Sequence, residues 1–202
     1  MNIKALTAEF IGTFCLTFAV ASSIATEFPV VTPFVAALCL AMFVYTIGGT
    51  SGCHINPAVT IGLTAIKKIS VPDAVGYIIA QVVGACAAAA LLNVSGSGGG
   101  ALPVDNGEPY VMFAEALGMF FFTFGIAAAV FEKIPESMSG IVVGGSLLLG
   151  VVVAAHGSGG VLNPAVSVGV SSFGISWPYL AGPIVGSIVG FLAGSFVNGD
   201  PY

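Results

Sequence analysis

Two asparagines are the residues of this chain whose type and setting best suit chemistry. Each opens the same tripeptide, at Asn56-Pro57-Ala58 and at Asn163-Pro164-Ala165. An asparagine amide both donates and accepts hydrogen bonds, and an Asn-Pro step is typical of the first turn of a helix. One copy would mean little. Two copies, 107 positions apart, indicate a duplicated unit.

Acidic residues inside apolar stretches repeat at almost the same spacing. Ala8-Glu9 is echoed by Ala114-Glu115, 106 positions later. A carboxylate in such a stretch can serve as a proton relay, or it can accept hydrogen bonds from loop N–H groups that would otherwise be orphaned. The repetition favours the second role. His54, two residues before Asn56, can be a pH-sensing group, but its place predicts a loop-bracing or pore-lining residue.

Composition identifies an integral membrane protein. The chain of 202 residues is 57% hydrophobic and only 6% charged, whereas a soluble domain has about 25% charged residues. It has four lysines and no arginine, so a nucleic-acid partner is not expected. The four cysteines form no CxxC pair, which indicates small buried thiols rather than a metal site or a disulfide framework. No cofactor is implied.

Six stretches are long enough to cross a bilayer, which takes about 20 apolar residues per helix. They lie near residues 6–26, 33–51, 73–93, 111–131, 139–155 and 177–198. The segments around 52–68 and 157–173 are shorter and are interrupted by Gly and Pro where they begin. We interpret each as a loop that enters the membrane and becomes a half-helix. The predicted fold is therefore an all-α membrane protein with six transmembrane helices and two re-entrant half-helices.

The lysines set the predicted orientation. With the N-terminus in the cytoplasm, all of them fall on cytoplasmic segments, and the external loops carry only the acids Glu27, Asp105 and Glu108. Three spans per half make the second half enter from the opposite face, which is an inverted repeat. We expect one domain over residues 1–202, with halves of about 1–94 and 107–202 joined by a linker at about 95–106. Both termini would then be cytoplasmic.

Several segments of the chain together resemble the major intrinsic proteins, the family of aquaporins and aquaglyceroporins. They are the run from Gly52 to Thr60 (GCHINPAVT), both tripeptides, the opening AEFIGT and the segment WPYLAGPIVG at Trp177–Gly186. The resemblance covers essentially the whole chain. It implies a bundle with one pore in each subunit, a homotetramer, and a place in the inner or plasma membrane. It also implies small neutral solutes and membrane lipid as partners. Asn56 and Asn163 would donate to passing solutes.

One position departs from the family pattern. Most members have an arginine three residues after the second asparagine, where this chain has Val166. Spacing from the tripeptides transfers the other three filter positions to Ala36, Val151 and Gly160. These four residues, which we call the outer ring, resemble the metalloid-conducting, nodulin-like branch, whose members pass boric acid, arsenious acid and glycerol-sized polyols. They predict a wide filter, unless bulky neighbours such as Phe34, Leu147 or Leu162 turn in and narrow it.

Two other functions are compatible with these patterns. The chain can be an ordinary water-selective aquaporin with a degenerate filter, or a structural membrane protein whose pore is closed. An enzyme is not predicted. His54 and His156 fall in opposite loops, and neither a metalloprotease motif nor a Ser-His-Asp arrangement occurs.

Overall fold

The computed structural model describes residues 2–26, 29–96, 109–171 and 175–198. These ranges hold eight α-helices. The helices are α1 (Ile3–Ala25), α2 (Thr32–Ser51), α3 (Pro57–Ala65), α4 (Val71–Val94), α5 (Pro109–Val130), α6 (Ser139–Ala154), α7 (Pro164–Val170) and α8 (Pro178–Asn198). A single 3-10 turn, Glu136–Met138, precedes α6.

Six of these helices are long and apolar enough to cross a membrane, with the 3-10 turn counted into the fifth span as Glu136–Ala154. Their bounds lie within about three residues of the six predicted spans, so the predicted fold class is confirmed. The two remaining helices, α3 and α7, have 9 and 7 residues. They occupy the two segments that were predicted to be re-entrant.

Each repeat consists of two long helices, a short helix and a third long helix: α1–α4, then α5–α8. The short helices cross between the repeats, since α3 packs on α8 and α7 packs on α4. Neither repeat therefore forms a separate bundle. The division into halves with a linker at 95–106 stays a prediction, because most of that linker lies outside the described residues.

Small residues let the long helices approach closely. Gly182, Gly186 and Gly190 recur every fourth position along α8 and face carbonyl oxygens of α5. A Cβ at Gly182 would lie 2.6 Å from the carbonyl oxygen of Met112, and a Cβ at Gly186 would overlap that of Ala116. Such small-residue interfaces drive helix association in membranes, where lipid is as apolar as the side chains.

The turns between the helices place the four lysines at one end of the bundle. Lys4 is in the first turn of α1, Lys67 and Lys68 lie between α3 and α4, and Lys133 lies between α5 and α6. Six alternating crossings bring these three points to the same side. The acids expected on the other side, Glu27, Asp105 and Glu108, lie outside the described residues.

Candidate functional site

Each half-helix begins at one of the predicted asparagines. The Asn56 Oδ1 atom accepts from the backbone N–H of Ala58 at 2.9 Å, and the Asn163 Oδ1 atom accepts from Ala165 at 3.1 Å. Proline follows each asparagine, in the first turn, where a missing N–H costs nothing. With its oxygen held by its own helix, each amide is left with its nitrogen pointing away.

Those two nitrogens join the repeats. The Nδ2 atom of Asn56 donates to the carbonyl oxygen of Leu162 at 2.8 Å, and the Nδ2 atom of Asn163 donates to that of Ile55 at 2.9 Å. Each amide nitrogen carries two hydrogens, so one remains for a solute. Both asparagines also line the same cavity. The sequence analysis did not predict that one of the two side-chain N–H groups of each asparagine would bind the loop of the opposite repeat.

The loop before each half-helix has left-handed backbone at matching positions. The φ angles are 51° at Cys53 and 37° at Ile55 in the first loop, and 64° at Gly160 and 53° at Leu162 in the second. A β-branched residue such as isoleucine rarely adopts a positive φ. Each such residue costs about 1–3 kcal/mol, and it persists only where its surroundings fix the conformation.

The buried carboxylates supply that constraint. Glu9 accepts from the N–H groups of His54 and Ile55 at 2.9 and 2.6 Å. Glu115 accepts from the N–H groups of Val161 and Leu162 at 3.0 and 2.7 Å. Each also accepts from a serine hydroxyl at 2.7 Å, Ser51 for Glu9 and Ser158 for Glu115, and Glu9 accepts in addition from the amide of Gln81 at 2.7 Å. The carboxylates thus contact the loops as the bracing role requires.

His54 both braces the first loop and lines a cavity. Its Nδ1 atom lies 3.1 Å from the Thr60 hydroxyl, and its ring meets that of Tyr77 edge-on with centroids 5.1 Å apart. Thr60 in turn donates to the carbonyl oxygen of Asn56 at 3.1 Å. The imidazole is therefore held against α3, the half-helix that follows it in the chain, and His54 also lines a cavity.

The four residues of the outer ring come together around one cavity of about 270 Å³, together with Asn56 and Asn163. We call it the ring-side cavity. Val151 and Val166 are buried except where they line this cavity. A Cβ at Gly160 would lie 3.0 Å from the Cγ1 atom of Val151. The remaining lining is mostly apolar. The ring is consequently a group of small side chains without a charge.

The bulky neighbours that were considered as alternatives lie in different places. Phe34 is 48% exposed on the outer surface of α2, and Leu162, in the loop before α7, is fully buried. Leu147 does line the ring-side cavity. Of the three, Leu147 alone reaches the space that the outer ring leaves open.

A second cavity of about 360 Å³ opens toward the end of the bundle that bears the lysines. We call it the lysine-side cavity. It is lined by the ends of α2 and α5 and by the start of α6, with Cys53, Tyr45 and Glu136 among its polar groups. Within the described part of the chain, Leu40, His54 and Phe122 line both cavities. Leu40 and Phe122 were not predicted as site residues.

Other contributors were also missed. Ser51 and Ser158 stand 107 positions apart, so the repeat register contained a signal for them. Gln81 and Tyr77 lie on α4, where Tyr77 donates to the carbonyl oxygen of Ser51 at 2.9 Å. Nothing in the local sequence marks these two residues, because their role depends on α4 passing behind the first loop.

Comparison with known proteins agrees with this geometry. The model of the family described as major intrinsic protein matches residues 1–194. Aquaporin NIP1-4 of Oryza sativa subsp. japonica is 34% identical over 213 residues, covering 97% of this chain and 77% of that protein. Glycerol uptake facilitator protein-like 6 of Lactiplantibacillus plantarum is 35% identical over 199 residues, covering 90% of this chain and 92% of that protein.

Among solved structures, the X-ray structure of the aquaglyceroporin from Plasmodium falciparum superimposes with a TM-score of 0.68 and 19% sequence identity. The superposition covers 97% of this chain and 95% of that one. At this identity the likeness concerns the fold. Because the family model matches nearly the whole chain and the relatives named above agree with it, this chain belongs to the major intrinsic protein family, whose members are membrane channels.

Proposed function

We propose that this protein is a passive channel for small uncharged solutes, namely water, glycerol-like polyols, and boric or arsenious acid. One observation carries the proposal. Four small uncharged residues, Ala36, Val151, Gly160 and Val166, surround the same cavity as the two asparagine amides. A wide apolar ring beside a few fixed hydrogen-bond donors suits a neutral solute, which can exchange part of its hydration for them.

Charge selectivity follows from the half-helices. Each N-terminus carries about half a positive elementary charge, and those of α3 and α7 both begin at the asparagines. None of the described residues that line the ring-side cavity is a carboxylate that could offset them. An ion would lose its hydration against a mostly apolar wall, which costs several kcal/mol even with partial compensation. We therefore assign the selectivity against ions to the centre of the pore.

The relatives do not separate water from glycerol as the solute. One is named an aquaporin and another a glycerol uptake facilitator-like protein, at 34% and 35% identity. The assignment to a wide-filter, metalloid-conducting channel therefore rests on the residues of the outer ring. The runner-up is a water-selective channel, which Leu147 favours by projecting into the ring-side cavity.

We further propose a homotetramer in the cell membrane with both termini in the cytoplasm. The single-sided lysines support this orientation. Exposed apolar side chains on α2 and α6, such as Leu38, Met42 and Leu149, leave surface for lipid or for neighbouring subunits. Chemical cross-linking in native membranes, together with protease accessibility of tags on each terminus, would test both statements.

Stopped-flow light scattering of proteoliposomes tests the solute assignment. Vesicles with and without the protein are challenged with sucrose, glycerol, boric acid and arsenious acid. We expect accelerated water flux and accelerated entry of each small solute. Water flux alone would identify a water-selective channel. No acceleration of any flux would support a closed-pore structural protein.

A further inference from the structure

The two cavities approach each other at three side chains. Leu40 from α2, His54 from the first loop and Phe122 from α5 line both of them, whereas every other described lining residue belongs to one cavity. We call these three residues the collar. A solute that crosses the protein passes from the ring-side cavity to the lysine-side cavity at this point.

The repeat supplies an internal comparison for the collar. The positions that match Leu40, His54 and Phe122 in the other half are Leu147, Val161 and Leu16. All three line the ring-side cavity and not the lysine-side cavity. Two of the collar residues are therefore bulkier than their mates, since phenylalanine replaces leucine and histidine replaces valine. The inverted repeat is therefore asymmetric at the point where the two cavities meet.

The collar side chains are held in place. Leu40 and Phe122 are 3% and 2% exposed and belong to the packed core. The Cβ atom of Phe122 lies 3.1 Å from where a Cβ on Gly150 would stand, so α6 backs it closely. His54 is fixed by Thr60 and Tyr77. Packed interiors do not yield like a surface side chain, so the collar cannot simply swing aside.

The outer ring has the opposite character. Its residues are alanine, glycine and two valines, and the bulk that most of the family places there is missing. We propose that the collar, rather than the outer ring, sets the largest solute that this channel passes, with Phe122 as the main size-determining residue. This inference rests on the proposed function as a channel for neutral solutes.

His54 gives the collar its polarity. Its Nδ1 atom is engaged by Thr60, whose hydroxyl hydrogen is directed at the carbonyl oxygen of Asn56. The histidine therefore donates from Nδ1, and its Nε2 atom is left as an acceptor beside Gly52, a residue that lines the lysine-side cavity. A polyol hydroxyl can donate to Nε2 while its carbon side slides past Leu40 and Phe122. The collar would thus select for narrow solutes with a hydrogen-bond donor.

The test compares bulk removed from the collar with bulk removed from the ring. Phe122→Leu gives the collar the residue of its mate, Leu16, and Val151→Ala widens the ring. Phe121→Leu is the matched control, because Phe121 is on the same helix, 46% exposed and outside both cavities. Leu40→Ala is a second collar variant in case Phe122→Leu folds poorly. Liposome uptake is measured for glycerol, erythritol and xylitol, normalised to incorporated, monodisperse protein.

We expect Phe122→Leu or Leu40→Ala to speed entry of the longer polyols about tenfold, which corresponds to roughly 1.4 kcal/mol of barrier. Val151→Ala should change these rates far less than the collar variants do, and Phe121→Leu should leave them unchanged. Faster entry with Val151→Ala, with the collar variants like the native protein, would overturn the inference and leave the channel assignment intact. No solute or water flux in the native protein or in any folded variant would overturn both.

Discussion

The Nδ2 atom of Asn163 lies 2.9 Å from the carbonyl oxygen of Ile55, which is a residue with a φ angle of 37°. The N–H group of the same isoleucine is held at 2.6 Å by Glu9. Both polar groups of a strained residue are thus satisfied, one from its own repeat and one from the other. In the same way, the N–H group of Leu162 donates to Glu115, and its carbonyl oxygen accepts from Asn56.

This relationship makes Asn163→Asp a sharp variant. The Oδ1 position keeps its bonds to the half-helix, but the former nitrogen becomes an oxygen facing the Ile55 carbonyl. Leaving such a buried acceptor unpaired costs about 1–3 kcal/mol, and the carboxylate partly cancels the positive helix ends. We expect a lower unfolding temperature and measurable cation conductance in planar bilayers. Unchanged conductance in a well-folded variant would show that Asn163 does not face the lumen.

Glu9→Gln tests whether the buried carboxylates brace the loops or relay protons. A glutamine amide cannot accept on both sides, so at least one loop N–H loses its partner, at a cost of about 1–3 kcal/mol. The bracing role predicts a lower unfolding temperature with proton flux unchanged per folded protein. Glu115→Gln should behave alike, and the exposed Glu132→Gln is the control. Altered proton flux without a loss of stability would favour the relay.

Gly186→Leu should be severely destabilising. A Cβ at this position overlaps the carbonyl oxygen of Ala116, so α8 must move away from α5. Overpacking of this kind costs about 1–3 kcal/mol and occasionally more. Gly145→Leu is the control, because nothing lies within 4 Å of a Cβ there. Thermal unfolding in detergent should show a loss for the first variant only, and equal midpoints would contradict the close packing of α5 and α8.

The outer ring can be closed by design. Ala36→Phe combined with Val151→His restores the bulk that resembles water-selective relatives, and both positions line the ring-side cavity. We expect glycerol to enter liposomes that contain the native protein at a rate comparable with that of water. The double variant should pass water and suppress glycerol. If the native protein excludes glycerol, the wide-filter proposal fails at once, whatever the variant does.

Val166→Arg introduces the charge that the family resemblance predicts at this position. The side chain would extend into the ring-side cavity that Val166 lines, and it adds a fixed cation with five donors. We expect a lower proton leak and slower passage of the larger solutes. Proton flux is followed with a pH-sensitive dye inside liposomes under a pH gradient. Equal flux in both proteins would mean that the half-helix ends suffice.

Sequence reasoning predicted the helices well because the spans are long, apolar and separated by Gly, Pro and Lys. The repeat spacing also led to the asparagines and to Glu9 and Glu115, and the family resemblance led to the outer ring. Leu40 and Phe122 were out of reach for a physical reason. In helices that are apolar all round, periodicity does not tell a pore-lining side chain from a lipid-facing one. Only the packing of α2 against α6, and of α5 beside it, turns these two inward.

The packing of α3 on α8 bears on how the protein is completed during synthesis. A Cβ at Gly62 of α3 would collide with Ser187 and Phe191 of α8, so the two helices share an intimate boundary. Yet α8 begins at Pro178, far beyond the end of α3 at Ala65, so it leaves the ribosome later than α3. Until it arrives, one side of α3 and its loop would meet lipid, where irregular backbone is not tolerated. A nascent chain that stops before α8 should therefore keep α3 outside the bilayer, and the first half-channel closes only once α8 has been synthesised.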